Sequence, residues 1–119
     1  MKDYRKLRIW QKGIEIVKLT YQLTKFLPPE EKFNLVSQMN RSAVSIPSNI
    51  AEGSSRKSEK DYHRFLEISL GSCFELDTQL EIIKELDLTE KDLVDNLRSL
   101  LLEEIMMLQS LMNKLNVKQ

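Results

Sequence analysis

Basic side chains gather at two places in the first half of the chain. The first cluster comprises Lys2, Arg5, Lys6, Arg8 and Lys12, and the second comprises Arg56, Lys57, Lys60 and Arg64. Lysine and arginine bind backbone phosphates, and each such contact releases counterions from a nucleic acid. The second cluster follows Gly53 and surrounds the start of a predicted helix, where free amides favour an anion. Both clusters therefore predict a nucleic-acid surface. Solvated lysines at a helix end and an ordinary glycine-capped turn are the respective alternatives.

A line of polar residues is predicted on one helix face in the middle of the chain. Its members are Gln38, Arg41, Ser45, Asn49 and Glu52, spaced by three or four residues. A purely solvated face is more often rich in glutamate and lysine than in serine and asparagine. The line thus predicts a subunit contact or a ligand surface, with an exposed face as the alternative. Arg41 also joins the residues predicted to contact nucleic acid.

Residue types that support catalysis or tight metal binding are scarce. His63 is the only histidine and Cys73 the only cysteine. A hydrolase or a zinc site needs a histidine combined with other specific groups, and the sequence does not provide them. Di-metal bundles use Glu-x-x-His pairs on two helices, whereas Lys60 stands three residues before His63. We therefore expect no enzymatic activity, no cofactor and no metal. Trp10 and Cys73 are better explained as packing residues than as a base-stacking ring and a reactive thiol.

Composition predicts a single helical domain over residues 1–119. Apolar residues make up 41% and charged residues 30%, with only three glycines and three prolines. No stretch approaches the roughly 20 uncharged residues of a membrane span, and no apolar signal segment follows the start. The lone cysteine permits no intrachain disulfide. These features predict a cytoplasmic protein without a membrane partner.

The charges are distributed unevenly although the formal net charge is zero. Residues 1–64 hold 13 basic and 7 acidic residues, and residues 65–119 hold 5 and 11. In an antiparallel bundle we expect the two halves to present opposite faces. Such a molecule can bind an anion on one side or dock onto an acidic side of its own copy.

The apolar periodicity predicts an all-α, antiparallel up-down-up-down four-helix bundle. The predicted helices span residues 4–27, 30–52, 58–86 and 89–116 and are joined by short turns. Ser58 and Thr89 open capping sequences for helices three and four, and Gly53 fits a cap after helix two. Pro47 predicts a kink or a local break in helix two.

Helix one carries more apolar surface than one seam requires. Its predicted seam comprises Leu7, Trp10, Ile14, Val17, Tyr21 and Thr24, and a second set comprises Ile9, Ile16, Leu19, Leu23 and Phe26. Either the helix is deeply buried, or it meets a neighbouring subunit as well as its own bundle.

Several segments together resemble a known family. They are Leu7-Arg8-Ile9-Trp10-Gln11-Lys12, Pro29-Glu30-Glu31, the run from Ser42 to Gly53 that reads SAVSIPSNIAEG, Arg64-Phe65-Leu66, Gly71-Ser72 and Glu75-Leu76-Asp77-Thr78-Gln79-Leu80. Over about residues 5 to 86 the chain resembles the four-helix-bundle proteins encoded by intervening sequences within bacterial 23S ribosomal RNA genes. The SIPSNIAEG run is the most specific part.

The resemblance implies an oligomeric ring, a homopentamer in known relatives. The bundle subunit of diversity-generating retroelements is similar in architecture and binds nucleic acid, which suggests RNA or DNA as a partner. Relatives often place two adjacent arginines in helix two, where this chain reads Met39-Asn40-Arg41-Ser42. The first hypothesis is a non-enzymatic homo-oligomer, a ring of five, that binds structured RNA or DNA. The alternative is a self-assembling scaffold or protein-interaction module without nucleic-acid affinity.

Overall fold

Four long helices form the computed structural model, which describes residues 3–117. They are α1 (Arg8–Thr24), α2 (Ser37–Ser54), α3 (Glu59–Glu85) and α4 (Lys91–Lys114). A 3-10 turn, Tyr4–Lys6, precedes α1, and a 3-10 turn, Pro29–Glu31, followed by a π-helical turn, Lys32–Val36, leads into α2. The predicted all-α bundle is confirmed. Lys2 of the first basic cluster lies outside the described residues.

The helices pack in sequence order around one core, with each helix antiparallel to its neighbours. Thr24 near the end of α1 donates to Asn40 early in α2, and Ser69 of α3 donates to the carbonyl of Ile46. Arg98 of α4 pairs with α3, its Nε lying 3.0 Å from Asp77 Oδ1 and its Nη1 2.6 Å from Glu81 Oε1. The start of α1 and the end of α4 meet beside Leu7 and Leu111. Short turns and these contacts give the up-down-up-down topology.

The core stripe of α1 draws on the second of the two predicted sets, except that Leu19 is only partly buried and Phe26 is 67% exposed. Ile9, Ile16 and Leu23 are buried, with Gly13 and Thr20 between them, whereas Trp10 is half-buried and Tyr21 exposed. The predicted seam is therefore only partly correct, because Leu7, Trp10 and Val17 pack against the core while partly buried, and Thr24 is buried. The buried set follows alternating steps of four and three residues, and two of its five positions hold small or polar residues. Because Gly13 and Thr20 are not large apolar residues, a count of apolar side chains does not identify this stripe.

The ends of the helices differ from the prediction in four places. The first helix breaks at extended Leu7, and α1 ends at Thr24 instead of residue 27. Residues 30–36 belong to the 3-10 turn and the π-helical turn that precede α2, instead of to α2 itself. Glu90, not Thr89, is the residue before α4, and it makes no side-chain capping bond. Ser58 caps α3 as predicted, because its hydroxyl accepts from the Asp61 amide at 3.1 Å.

Pro47 and Gly53 both lie inside α2. The helix is continuous across Pro47, so the predicted local break does not occur, and Pro47 is buried against Gly13 of α1. Gly53 is not the predicted cap, since Ser55 holds that place. A Cβ on Gly53 would lie 2.7 Å from Phe65 Cβ, so glycine is needed where α2 and α3 approach closely.

Candidate functional site

The two predicted basic clusters lie at the same end of the bundle. Residues 5–12 open α1, and residues 56–64 join α2 to α3, so the topology brings them to one end although about 50 positions separate them in sequence. Tyr4 lies beside Ser48 and Ala51 near the end of α2, which places the first turn against the second cluster's helix. We call these residues, Arg5, Lys6, Arg8, Lys12, Arg56, Lys57, Lys60 and Arg64, the basic end.

Three of the eight cations of the basic end pair with a carboxylate of the bundle. Lys12 Nζ lies 2.7 Å from Glu103 Oε1, Arg56 Nη2 lies 2.9 Å from Glu52 Oε2, and Arg64 Nη2 lies 3.7 Å from Asp61 Oδ1. Among residues 3–117 no ion pair involves the other five, which are Arg5, Lys6, Arg8, Lys57 and Lys60. All five are exposed, so their charges are available to an approaching anion.

Two arginines of the basic end lie over aromatic rings. Arg5 Cζ is 4.8 Å from the centre of the Tyr4 ring, and Arg56 Cζ is 4.7 Å from that of Phe65. Stacking of this kind holds a guanidinium without removing its charge, and an exposed pair of this type contributes about 0.5–1 kcal/mol. Both guanidinium groups therefore lie against a ring at the basic end.

The acidic residues concentrate at the opposite end. At the basic end, residues 3–12 and 52–64 hold eight basic and four acidic residues. At the far end, residues 25–32 and 81–95 hold four basic and eight acidic residues. The bundle measures 45 Å along its long axis, so these two groups of charges lie far apart. This difference between the ends adds to the expected difference between the two sequence halves, which carry +6 over residues 1–64 and −6 over residues 65–119.

The predicted polar line of α2 forms one wall of a polar cavity of about 250 Å³ against α3. The lining residues are Gln38, Arg41, Ser42, Ser45, Ser72 and Glu75. Ser42 donates to Glu75 at 2.8 Å, and Ser45 accepts from both Ser72 and Asn49, at 2.8 and 2.9 Å. Asn49 continues the hydrogen-bonded wall, whereas Glu52 pairs with Arg56 of the basic end. Most of these hydroxyls therefore hold α2 to α3.

Arg41 lies apart from the basic end, in the first half of α2, toward the far end of the bundle. It is exposed, and within the described part of the chain it makes no ion pair, although Glu75 lines the same cavity. Arg41 and Ser45 also line the adjoining depression that contains Tyr21 and Val44. This position suits a contact on the side of the bundle better than one at its basic end.

An apolar groove runs between the outer sides of α1 and α2. It is lined by Tyr4, Trp10, Ile14, Val17, Val44, Pro47, Ser48 and Ala51, and we call it the α1/α2 groove. Trp10 meets the Tyr4 ring edge-on, with ring centres 5.3 Å apart. The α1 side chains of the groove, Trp10, Ile14 and Val17, belong to the predicted seam and are partly buried. Apolar side chains of α1 thus extend beyond the core stripe into this groove, as predicted.

Glu104 is a chemically unusual residue that the sequence reading missed. Its side chain is completely buried, and neither carboxylate oxygen has a hydrogen-bond partner in the described protein. Burial raises the pKa of Glu104 to about 8, and the charge of Lys12 opposes the shift. The available signal was its place in the series Leu97, Leu101, Glu104 and Leu108, which follows the core spacing of α4. The sequence alone favours Ile105, the next residue, for the core seam of α4, because charged residues are rarely fully buried.

Residues 3–117 contain no group of three or more histidine, cysteine, aspartate or glutamate side chains that could hold a metal ion. Within the same segment, no helix combines the length and apolar character required to cross a membrane.

Comparison with known proteins places the chain in a family. The family model described as 23S rRNA-intervening sequence protein matches residues 5–110. A crystal structure from Bacteroides thetaiotaomicron VPI-5482, described as a protein with unknown function from the S23 ribosomal protein family, superposes with a TM-score of 0.82 at 26% identity. The match covers 89% of this chain and 99% of that one. No curated protein matches the chain. The chain belongs to the 23S rRNA-intervening sequence protein family.

Proposed function

We propose that the protein is a non-enzymatic, self-assembling bundle that binds RNA, or another nucleic acid, through its basic end. The observation that carries the proposal is the meeting of two sequence-distant basic clusters at one end, with five exposed cations that pair with no carboxylate of the described chain. Side chains of this kind follow a phosphate backbone without reading its sequence. The family's name, which refers to intervening sequences of 23S ribosomal RNA, favours RNA over DNA.

The charge separation along the bundle also gives a binding orientation. The acidic far end repels a polyanion while the basic end attracts it, so the bundle approaches nucleic acid end-on. Arg41 lies in the first half of α2, too far from the basic end to share that contact. We assign it instead to the side of the bundle, beside Tyr21 and Val44. The surface we propose for nucleic acid therefore comprises the eight residues of the basic end.

Binding of a structured RNA at several salt concentrations tests the proposal. Lys57→Ala with Lys60→Ala removes two exposed, unpaired cations, and we expect the slope of log affinity against log salt to fall by about 1.5. Lys84→Ala with Lys91→Ala is the matched control, because it removes two exposed lysines from the acidic end. Equal effects of the two double variants, or no binding at low salt, contradict the proposal and favour the scaffold function.

Self-assembly is supported by two exposed apolar surfaces on opposite sides of the bundle. One is the α1/α2 groove. The other lies on the outer α3/α4 seam and comprises Phe74, Leu102 and Met106, which are 49%, 59% and 62% exposed. Phe74 shares a helix face with Asp77 and Glu81, and Leu102 shares one with Arg98, so the α3–α4 ion pairs fix where these side chains lie. We call this second surface the α3/α4 strip.

Two different surfaces on opposite sides suit head-to-tail assembly. When the groove of one copy receives the strip of the next, the contact is heterologous, and such contacts close into a ring or continue as a filament. A ring of five is the form we propose for this chain. The same contact serves a scaffold without nucleic-acid affinity, so assembly and nucleic-acid binding need separate tests.

Mixing two assembly-defective variants tests the head-to-tail contact. Val44→Glu alters the groove side and Leu102→Glu alters the strip, and both residues are exposed, so each monomer should still fold. We expect each variant alone to be a monomer of 14.0 kDa and an equimolar mixture to form a dimer through its one intact contact. Light scattering or sedimentation distinguishes these masses. Phe33→Glu, on an 89% exposed side chain outside both surfaces, should leave assembly unchanged. A monomeric wild-type chain, or no dimer in the mixture, overturns the assembly proposal.

A further inference from the structure

Glu104 occupies a place where an ionised carboxylate is poorly tolerated. The side chain is completely buried in the part of the core formed by α1, α3 and α4, and both of its oxygens lack hydrogen-bond partners among the described residues. A carboxylate removed from water without hydrogen bonds or a paired cation is strongly destabilised relative to the neutral acid. Its neutral form is therefore the one compatible with the closed core.

The surroundings of Glu104 offer little to neutralise a negative charge. Lys12 of α1 is the cation that faces it, but Lys12 Nζ already lies 2.7 Å from Glu103 Oε1 on the outer side of α4. Cys73 of α3 is the other titratable neighbour, and its own pKa is raised by burial and by the Glu104 charge. At this level α2 contributes Pro47, which contacts Gly13 and carries no charge.

Gly13 of α1 lies against both Glu104 and Pro47 at this level. A Cβ built on Gly13 would lie 3.4 Å from Glu104 Oε2 and 3.1 Å from Pro47 Cβ. Because the side chain is completely buried, water or a cation reaches the carboxylate only when the helices around it, such as α1 and α4, move apart. Ionisation of Glu104 and opening of this seam are therefore linked events.

We propose that Glu104 is a proton-dependent lock, in which the protonated carboxyl lets α4 close against α1 and α3 and the ionised carboxylate favours opening of that seam. The sign follows from linkage. The ordinary pKa of 4.5 applies when the carboxyl is exposed and a pKa of about 8 when it is buried, so the closed bundle holds the proton more tightly. The stabilisation is complete below pH 4.5 and is lost as the pH rises through 8.

Thiol labelling of Cys73 in the full-length chain tests the lock. Cys73 is the only cysteine and is completely buried next to Glu104, so its labelling rate reports opening of the core. Dividing the wild-type rate by that of Glu104→Gln at each pH removes the intrinsic rise in thiolate. We expect this ratio to increase by up to about tenfold per pH unit between pH 5 and pH 8, at least a hundredfold in total, and then to level off.

Two further variants keep the test decisive. Glu104→Leu, which is apolar, should show only the intrinsic rise in thiolate and replaces Glu104→Gln as the reference if the amide impairs folding. Glu103→Gln, at the exposed neighbouring carboxylate, should keep the wild-type pH profile. Wild-type and Glu104 variant profiles that stay parallel within threefold from pH 5 to pH 8 overturn the proposal, as does a Glu103→Gln profile that loses the pH dependence.

Discussion

At the scale of single residues, the three glycines of the chain occupy three different environments. Gly53 lies where a Cβ would come 2.7 Å from Phe65 Cβ and 3.0 Å from Tyr62 Cδ1. Gly13 sits at the closest approach of α1 to Pro47. Gly71 has no neighbour within 4 Å of the position a Cβ would take. A helix gains stability from alanine only where the added methyl group has room.

The contrast between Gly53 and Gly71 gives a paired prediction. Gly53→Ala should destabilise the fold by about 1–3 kcal/mol, because α2 and α3 must move apart to admit the methyl group. Gly71→Ala should stabilise it by roughly 0.5–1 kcal/mol, because alanine loses less backbone entropy in a helix. Urea denaturation of the two variants measures both values. A stabilised Gly53→Ala protein would show that the α2–α3 contact is looser than the distances indicate.

Glu104 shows which residue-scale features the sequence did and did not predict. The basic residues were recognisable because like charges recur within a few positions, a local signal. The environment of Glu104 depends on three helices and on the small residue Gly13, which allows the close approach. Its spacing from Leu101 and Leu108 placed it on a core stripe, but charged residues are rarely fully buried, which favoured the neighbouring Ile105.

At the scale of helices, a capping sequence predicted the start of a helix correctly only where its first residue is the N-cap in the structure. Ser58 and Thr89 both head sequences that predict an N-terminal cap. Ser58 is extended and accepts the Asp61 amide, whereas α4 begins after Glu90 and leaves Thr89 one position too early. The four helices themselves were predictable from apolar periodicity because that pattern extends over many turns.

These two capping sequences give the second paired prediction. Ser58→Ala should cost about 1 kcal/mol, because it leaves the Asp61 amide without its acceptor at the first turn of α3. Thr89→Ala should change the free energy of unfolding by less than about 0.5 kcal/mol, since α4 has no side-chain cap to lose. Thermal or urea unfolding checks both. Equal losses would mean that Thr89 caps α4 in solution.

The choice between the two stripes of α1 was not decidable from that helix alone. Both sets repeat with helical spacing, and the set with larger side chains looks more core-like. The stripe through Ile9, Ile16 and Leu23 is buried because Gly13 lets Pro47 and α4 come close to that side of α1. The bulky ring of Trp10 packs against Tyr4 at the edge of the core. Burial of this helix thus follows the shapes of its neighbours.

At the scale of the whole molecule, the proposed assembly would combine with the charge separation. The proposed head-to-tail contact through the α1/α2 groove and the α3/α4 strip would place bundles side by side. When such copies are related by rotation about an axis along the helices, all their basic ends point the same way. The ring would then present several basic ends on one rim, and a long nucleic acid could contact several of them at once.

This arrangement predicts that assembly strengthens binding only for long nucleic acids. Leu102→Glu alters the α3/α4 strip but leaves the basic end intact, so it should retain the affinity of a single bundle. A long structured RNA should bind wild-type protein about 10²-fold to 10⁴-fold more tightly than the variant, through effective concentration. A duplex of roughly seven base pairs, at about 3.4 Å per pair, spans one 25 Å bundle width and should not distinguish them.

Fluorescence anisotropy with the two probes measures the difference, and Phe33→Glu serves as the control for added negative charge. Because Leu102→Glu brings its own repulsion, a small loss of affinity is expected for both probes alike. The informative quantity is the ratio of the long-probe loss to the short-probe loss. A ratio near one, in a variant that sedimentation shows to be monomeric, would mean that each bundle binds nucleic acid independently and that the side-by-side contact serves another purpose.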